Sequence, residues 1–366
     1  MDRTGWIDRW KGLLICLVVM GHVAGGAYHI VKDDVQGVLS LIFKVIYMFH
    51  MPAFFMLAGI TWKDKEESII SFIRKKSLRL LVPYIIFGVI SICIFIILDI
   101  VVAQSINNYS TTDYYSNKIQ THIWWQLLIG LVHGGGWPNG EGFRMNSVLW
   151  FLPAMFTTLL VFRMIRSKGN IVTCVICGLI YAVSFIKNLP PYLPWGISVL
   201  PKYLFFVMTG WILAPIFCRI NVACSEHKYK ALFICIIMMI GYIWLVSKCP
   251  DPAIVSKSII WKIVFLCLTI TGCFISAVLV MILDCKVCER LGMATMGIML
   301  IHKFPVVFLE LKVPIIRAIF NYGGVFTLLW TMLLTVIIVL SCYSVVWCVN
   351  RTQPWILGER RKCYSK

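Results

Sequence analysis

Charge is scarce in this chain of 366 residues. Asp, Glu, Lys and Arg make up only 14% of it, against about 25% in ordinary soluble domains. Acidic residues are the rarer sign, 16 against 34 Lys and Arg. Hydrophobic residues reach 60%, above the ~45–50% usual in soluble proteins. These shortages exclude a soluble globular domain, a disordered chain and a water-soluble nucleic-acid binder. No internal repeat or low-complexity tract stands out. That weighs against a transporter built from inverted repeats.

What is present is apolar sequence in long runs, with a mean hydropathy of +0.86. A spanning helix needs about 20 mostly apolar residues. Gaps between charges mark ten candidates, at 12–31, 38–61, 80–104, 147–163, 171–185, 196–218, 231–247, 259–283, 291–309 and 324–349. The last is the cleanest, because no Asp, Glu, Lys, Arg or His separates Arg317 from Arg351. The ninth is the least clean, since it contains His302 and Lys303. The expected fold is an all-α polytopic membrane protein of about ten transmembrane helices. The whole of 1–366 reads as a single integral-membrane domain.

The net charge of +18 sits in the gaps between these runs. With ten spans both termini share a side, and 22 of the 34 Lys and Arg fall on that side. The positive-inside rule then puts both termini in the cytoplasm. It leaves a long outer loop over about 105–146 and a cytoplasmic tail over 350–366. Small residues at Ala24–Ala27 raise a signal peptide as an alternative. The apolar run continues to Val31 and contains His22, which favours an uncleaved first span. The expected location is the inner, or cell, membrane.

Two CxxC pairs occur, Cys174/Cys177 and Cys285/Cys288. Neither has a second pair placed to complete a zinc site. They read as small apolar residues or reduced thiols. In the outer loop, Ile119–His133 is amphipathic and short for a span, which suggests an interfacial or re-entrant helix. The following GGGWPNGEGFR, Gly134–Arg144, lacks a preceding strand and a following Lys-Ser/Thr. It is therefore a turn-rich surface loop rather than a P-loop.

Ionisable residues inside a span are costly and read as functional. At about 1.5 Å per residue, His22 lies ~16 Å in from Lys11 at the cytoplasmic edge. His50 lies ~18 Å in from the outer face, and His302 ~18 Å in from Arg290. Three histidines on three helices thus converge on mid-bilayer, with Lys303 beside them. His29, His122, His133 and His227 do not. Each imidazole could be a core residue satisfied by its own helix. Together they suit a general base, a proton relay or a three-histidine metal site, and depth alone does not choose. The densest basic run, RKKSLR at Arg74–Arg79, is either a topology anchor or a phosphate site for an anionic cofactor.

These residues also carry a resemblance. DRWKGLLICLVVMGH (Asp8–His22) resembles the first span of the family 3 membrane acyltransferases, where a basic residue, ten residues and a His recur. Lys11 and His22 have that spacing. MFHMPAFFMLAG (Met48–Gly59), RKKSLRLLVPY (Arg74–Tyr84), NSVLWFLPAMF (Asn146–Phe156), PKYLFFVMTG (Pro201–Gly210) and MGIMLIHKFPV (Met296–Val306) follow in the family's order. The chain is most similar to the short, single-domain branch resembling fucose 4-O-acetylases and other sugar O-acetyltransferases. It departs from the wider family in having Lys at 11, Lys303 after His302, and no acidic residue next to the Trp motif. Glu141 is the nearest acid.

The resemblance implies transfer of acetyl from acetyl-CoA, a co-substrate rather than a bound cofactor, to a hydroxyl of an envelope sugar or lipid-linked glycan. On that reading His22 is general base or acyl carrier, and His50 and His302 orient or stabilise. Lys11 belongs to the catalytic motif and, with Arg74, Lys75, Lys76 and Arg79, holds the CoA phosphates. Asn146, Trp150, Glu141 and Lys303 line the acceptor side. No metal is expected. The competing class is a proton-coupled glycan exporter that uses the same histidines as a relay.

Overall fold

The computed structural model describes residues 5–28, 33–105, 124–134, 144–186, 190, 193–250, 258–310, 320 and 324–358. Fourteen α-helices account for most of them, and no strand occurs among the described residues. In chain order they are α1 (Gly5–Tyr28), α2 (Asp33–Ile60), α3 (Ile69–Lys76), α4 (Val82–Ser105), α5 (Trp124–His133), α6 (Phe151–Arg166) and α7 (Asn170–Ile186). They continue with α8 (Leu200–Glu226), α9 (Lys228–Ser247), α10 (Ile259–Ile282), α11 (Lys286–Met293), α12 (Thr295–Ile301), α13 (Lys303–Glu310) and α14 (Gly324–Thr352).

Among the described residues, eight helical stretches are long and apolar enough to cross a membrane. The expected fifth and ninth spans are the two that differ. Their counterparts are shorter apolar helices, Asn170–Val183 and Thr295–Val307. The ninth is a broken run. Backbone dihedrals leave the helical range at Ala294, and His302 then closes α12 and precedes α13. Interrupted helices within a membrane are tolerated where they are packed in protein or line a cavity. The expected helix at 119–133 is described only as α5; its first residues lie outside the described residues.

α1 is the centre of the bundle. In its most apolar window 61% of residues are buried, against 17% in α9 at the periphery. It packs against α2, α10, α11, α12, α13 and α14. The outward side chains of α9, such as Ile237, Ile240 and Trp244, are exposed and apolar, as a lipid-facing surface requires.

Lipid tails are as apolar as leucine, so helices in a bilayer associate through close packing rather than through hydrophobic exclusion. Two glycine pairs supply that closeness. A Cβ on Gly12 of α1 would lie 1.8 Å from the Cys288 carbonyl oxygen, and one on Gly292 of α11 would lie 1.7 Å from that of Asp8. Between α2 and α8, a Cβ on Gly59 would lie 2.0 Å from Val207 O, and one on Gly210 would lie 2.0 Å from Met56 O. Each contact is reciprocal, backbone against backbone. α1 and α2 are thereby clamped to different neighbours while facing each other.

α2 contains Pro52. Proline has no N–H, so the carbonyl four residues back, Met48, loses its helical donor. Thr269 Oγ1 of α10 donates to Met48 O at 3.1 Å. One turn on, Cys273 Sγ donates to Phe49 O at 3.7 Å. The freed backbone is thus satisfied by a neighbouring helix, as a membrane interior demands.

Candidate active site

Four helices bring three histidines, a tyrosine and a lysine together. α1 carries His22, half-buried beside Gly21. α2 carries Tyr47 and His50, three residues apart and hence on one helix face. His302 closes α12 and Lys303 opens α13, both buried. The His22 and His302 rings are 5.3 Å apart, tilted by 41°. Tyr47 joins His22 to His50. Its hydroxyl lies 3.1 Å from His22 Nδ1, and its ring meets His50 edge-on at 4.8 Å. His302, Lys303 and His50 all lie within electrostatic reach of His22. Lys202 of α8 lies within reach of His50.

Hydrogen-bond partners fix two of the three tautomers. His50 Nδ1 faces Ile46 O at 2.8 Å, and His302 Nδ1 faces Ile298 O at 3.0 Å. A carbonyl only accepts, so both Nδ1 atoms carry the proton and the neutral rings keep a lone pair on Nε2. His302 Nε2 is buried and has no hydrogen-bond partner among the described residues. The same holds for Asn146 Oδ1. Asn146 sits at a kink in the 3₁₀ segment Arg144–Trp150, at φ −142° and ψ 60°. Its Nδ2 donates to Leu300 O at 2.9 Å, two residues before His302. Asn146 and His302 are thus both tied to carbonyls of α12, and each leaves a buried acceptor, a kind of group that costs about 1–3 kcal/mol when unmet. A ligand bearing hydroxyl donors matches them.

Of the other residues singled out from the sequence, Trp150 is half-buried and stacks on Tyr203, centroids 6.0 Å apart. Tyr203 in turn stacks on Phe55 of α2 at 4.0 Å. Glu141 lies outside the described residues. Lys11 pairs with Asp8 at 2.8 Å, on its own helix. Among the described residues no group of three or more His, Cys, Asp or Glu is arranged to hold a metal ion.

The basic run forms a separate region. α3 starts on the Ser68 side chain, which accepts from Ser71 N. It carries Arg74 and Lys75, both exposed, and Lys76, whose ammonium lies 5.5 Å from the Phe72 ring centroid. A π-helical turn, Ser77–Leu81, then carries exposed Arg79. Lys75 pairs with Glu67, and its ammonium holds the Glu67 carboxyl below its usual range. The strap of residues 62–68 is latched to α6. Arg163 donates to Lys65 O and Glu67 O, each at 3.0 Å. Arg166 donates to Asp64 at 2.7 Å and lies over the Trp211 ring at 4.4 Å. In the sequence, Arg163 and Arg166 are two of the 22 Lys and Arg on the side of the termini. In the fold they add two guanidinium groups to the basic region.

Cys285 and Cys288 also stand apart from the cluster. Cys285 caps α11, and its Sγ accepts from Cys288 N at 3.4 Å. That hydrogen bond lowers the Cys285 thiol from its ordinary value.

The sequence reading missed Tyr47. A tyrosine inside an apolar run passes for packing. The available signal was its position one helical turn before His50.

A family model for an acyltransferase domain matches residues 4–348. The chain belongs to the family 3 acyltransferases. The matched segment takes in α1 through nearly all of α14, and so the whole histidine cluster and the basic strap. No curated protein and no solved structure matches the chain. Membership and fold together make it a multi-pass membrane acyltransferase.

Proposed function

We propose that this acyltransferase moves acetyl from cytoplasmic acetyl-CoA to a hydroxyl of an envelope sugar or lipid-linked glycan, in the cell's inner membrane. The observation that carries the reading is the approach of His22 to His302, at 5.3 Å, inside the bundle. Acyl transfer to an alcohol needs a base for the hydroxyl proton and donors or positive charge for the developing oxyanion. His22 serves as the base through Nε2. Lys303, buried beside His302, supplies positive charge. The acceptor's hydroxyls are held by His302 Nε2 and Asn146 Oδ1, which lack partners among the described residues.

The steps balance without a further reactant. His22 Nε2 takes the hydroxyl proton as the oxygen attacks the thioester carbonyl. The tetrahedral intermediate collapses and the C–S bond breaks. The imidazolium returns its proton to the CoA thiolate. The products are the acetyl ester and CoA thiol. The CoA phosphates rest on Arg74, Lys75, Lys76 and Arg79, since clustered guanidinium and ammonium groups suit diphosphates. The pantetheine arm reaches inward from there.

The test is mass spectrometry of envelope glycans from cells carrying the wild-type protein or His22→Ala at equal expression. The expected result is an acetyl-sized mass with wild type only, because a general base contributes about 10²–10⁴-fold. Equal acetylation in the variant removes His22 from the role of base. A different acyl mass with wild type overturns the acetyl donor.

A further inference from the structure

His22 differs from its two companions in what holds its Nδ1. His50 and His302 face backbone carbonyls, which accept and never donate. His22 faces the Tyr47 hydroxyl, which can do either. We propose that Tyr47 is the positioning residue of the acyl-transfer site, its hydroxyl oxygen accepting a hydrogen bond from His22 Nδ1–H and so leaving Nε2 as the basic nitrogen. This rests on the reading of His22 as base.

The Tyr47 ring is itself held on three sides. Phe43 stacks on it at 3.7 Å and 21°. His50 meets it edge-on at 4.8 Å. Gly21, next to His22, lies flush against it, and a Cβ there would sit 2.8 Å from Tyr47 Cε2. Phe43, Tyr47 and His50 share one face of α2 by their spacing of four and three residues. The hydroxyl is therefore aimed by packing on three sides of its ring. The missing side chain at Gly21 is what lets α1 present His22 to it.

The arrangement suits a base that must work inside a bilayer. An imidazole that takes up a proton on Nε2 keeps its Nδ1–H, so the same acceptor serves before and after transfer. Its hydrogen bond strengthens once the ring is charged, because charge-assisted bonds are about twice as strong as neutral ones. Soluble triads place a carboxylate at this position. A carboxylate in a membrane interior carries a large desolvation cost. A phenol holds the tautomer while staying neutral. The other titratable groups facing His22 are His302, Lys303 and His50, with no carboxylate among the described residues.

Tyr47→Phe keeps the ring and removes the acceptor. In membranes carrying the full-length protein and its endogenous acceptor, kcat for labelled acetyl-CoA is expected to fall about tenfold, with KM unchanged. A second readout needs no acceptor. Diethylpyrocarbonate modifies neutral imidazole, and peptide mass spectrometry follows each histidine separately. At pH 7 the variant's His22 is expected to react several-fold more slowly, with exposed His227 as the unchanged reference. An unaltered kcat and an unaltered His22 rate overturn the proposal. If the phenylalanine variant is not recovered folded, Gly21→Ala, which presses a methyl group on Tyr47 Cε2, is read by the same two measurements. The two ideas fail separately. Transfer that survives His22→Ala sinks the base itself, whereas a dead His22→Ala beside a fully active Tyr47→Phe sinks only the role of Tyr47.

Discussion

The histidine cluster and the basic strap are held in opposite ways. The cluster rests on helices whose backbones touch through glycine. Its rings hydrogen-bond to carbonyls of their own helices and to one another's neighbours. The strap rests on charge. Glu67, Lys75, Asp64, Arg163 and Arg166 tie it down, each ion pair joining an exposed group to a half-buried one. A glycine contact has no slack, since a single methyl group collides with a carbonyl. An exposed ion pair is worth only about 0–1 kcal/mol and yields to salt. A site that must hold reacting atoms within a fraction of an ångström gains from the first kind of support. The strap, proposed to grip a polyanion and release it, would gain from the second.

The largest effect is expected where the cluster's scaffold is struck. Gly210→Leu puts a side chain where even a Cβ would lie 2.0 Å from Met56 O. Overpacking of this kind costs about 1–3 kcal/mol and occasionally more. The expected outcome is loss of monodisperse protein in detergent by size exclusion. Normal yield would mean that the α2–α8 contact has more give than the glycine pair implies.

A smaller and different effect is expected in the strap. Arg79→Ala should raise KM for acetyl-CoA about three- to tenfold, equivalent to ~0.7–1.4 kcal/mol, and leave kcat and yield intact. An unchanged KM would leave Arg79 with only a topological role. Such a split, fold lost in one region and affinity alone lost in the other, is what the comparison requires.

The smallest effect belongs to Glu67. Its folded pKa is lowered from the ordinary 4.5 by the Lys75 ammonium. The stabilising pairing is therefore complete above 4.5 and fades as pH falls through the lower folded value. At neutral pH Glu67→Gln should raise hydrogen exchange in residues 62–68 slightly and change nothing in α1 or α2. On acidification the wild type should come to match the variant. Exchange that spreads into α2 would show that strap and cluster are mechanically joined.

Much of this was open to a reader of the sequence. Long apolar runs announce spanning helices because a bilayer demands about 20 such residues. Helical rise alone put His22 and His302 at one depth, and their rings do meet. The break at Ala294 was hidden, because Leu291 to Ile301 around it is apolar apart from Thr295, and single glycines such as Gly292 and Gly297 are tolerated inside a helix as well as at its end. Tyr47 was hidden because its contact with His22 joins two helices, and no local pattern records it. Arg163 reaches Glu67 across 96 residues of chain, and no local pattern records such a pairing. The glycines were visible, but nothing in the sequence says which backbone each will meet.

Pro52 has a consequence in time. The Met48 carbonyl it leaves unserved is met by Thr269, 221 residues later in the chain. A ribosome adding about 5–20 residues per second needs roughly 10–45 s to cover that distance. Throughout that interval the second helix is already made while its partner does not yet exist. The helix bearing Tyr47 and His50 therefore gains its last backbone partner only when Thr269 of α10 has been made, and the histidine cluster is settled late rather than helix by helix.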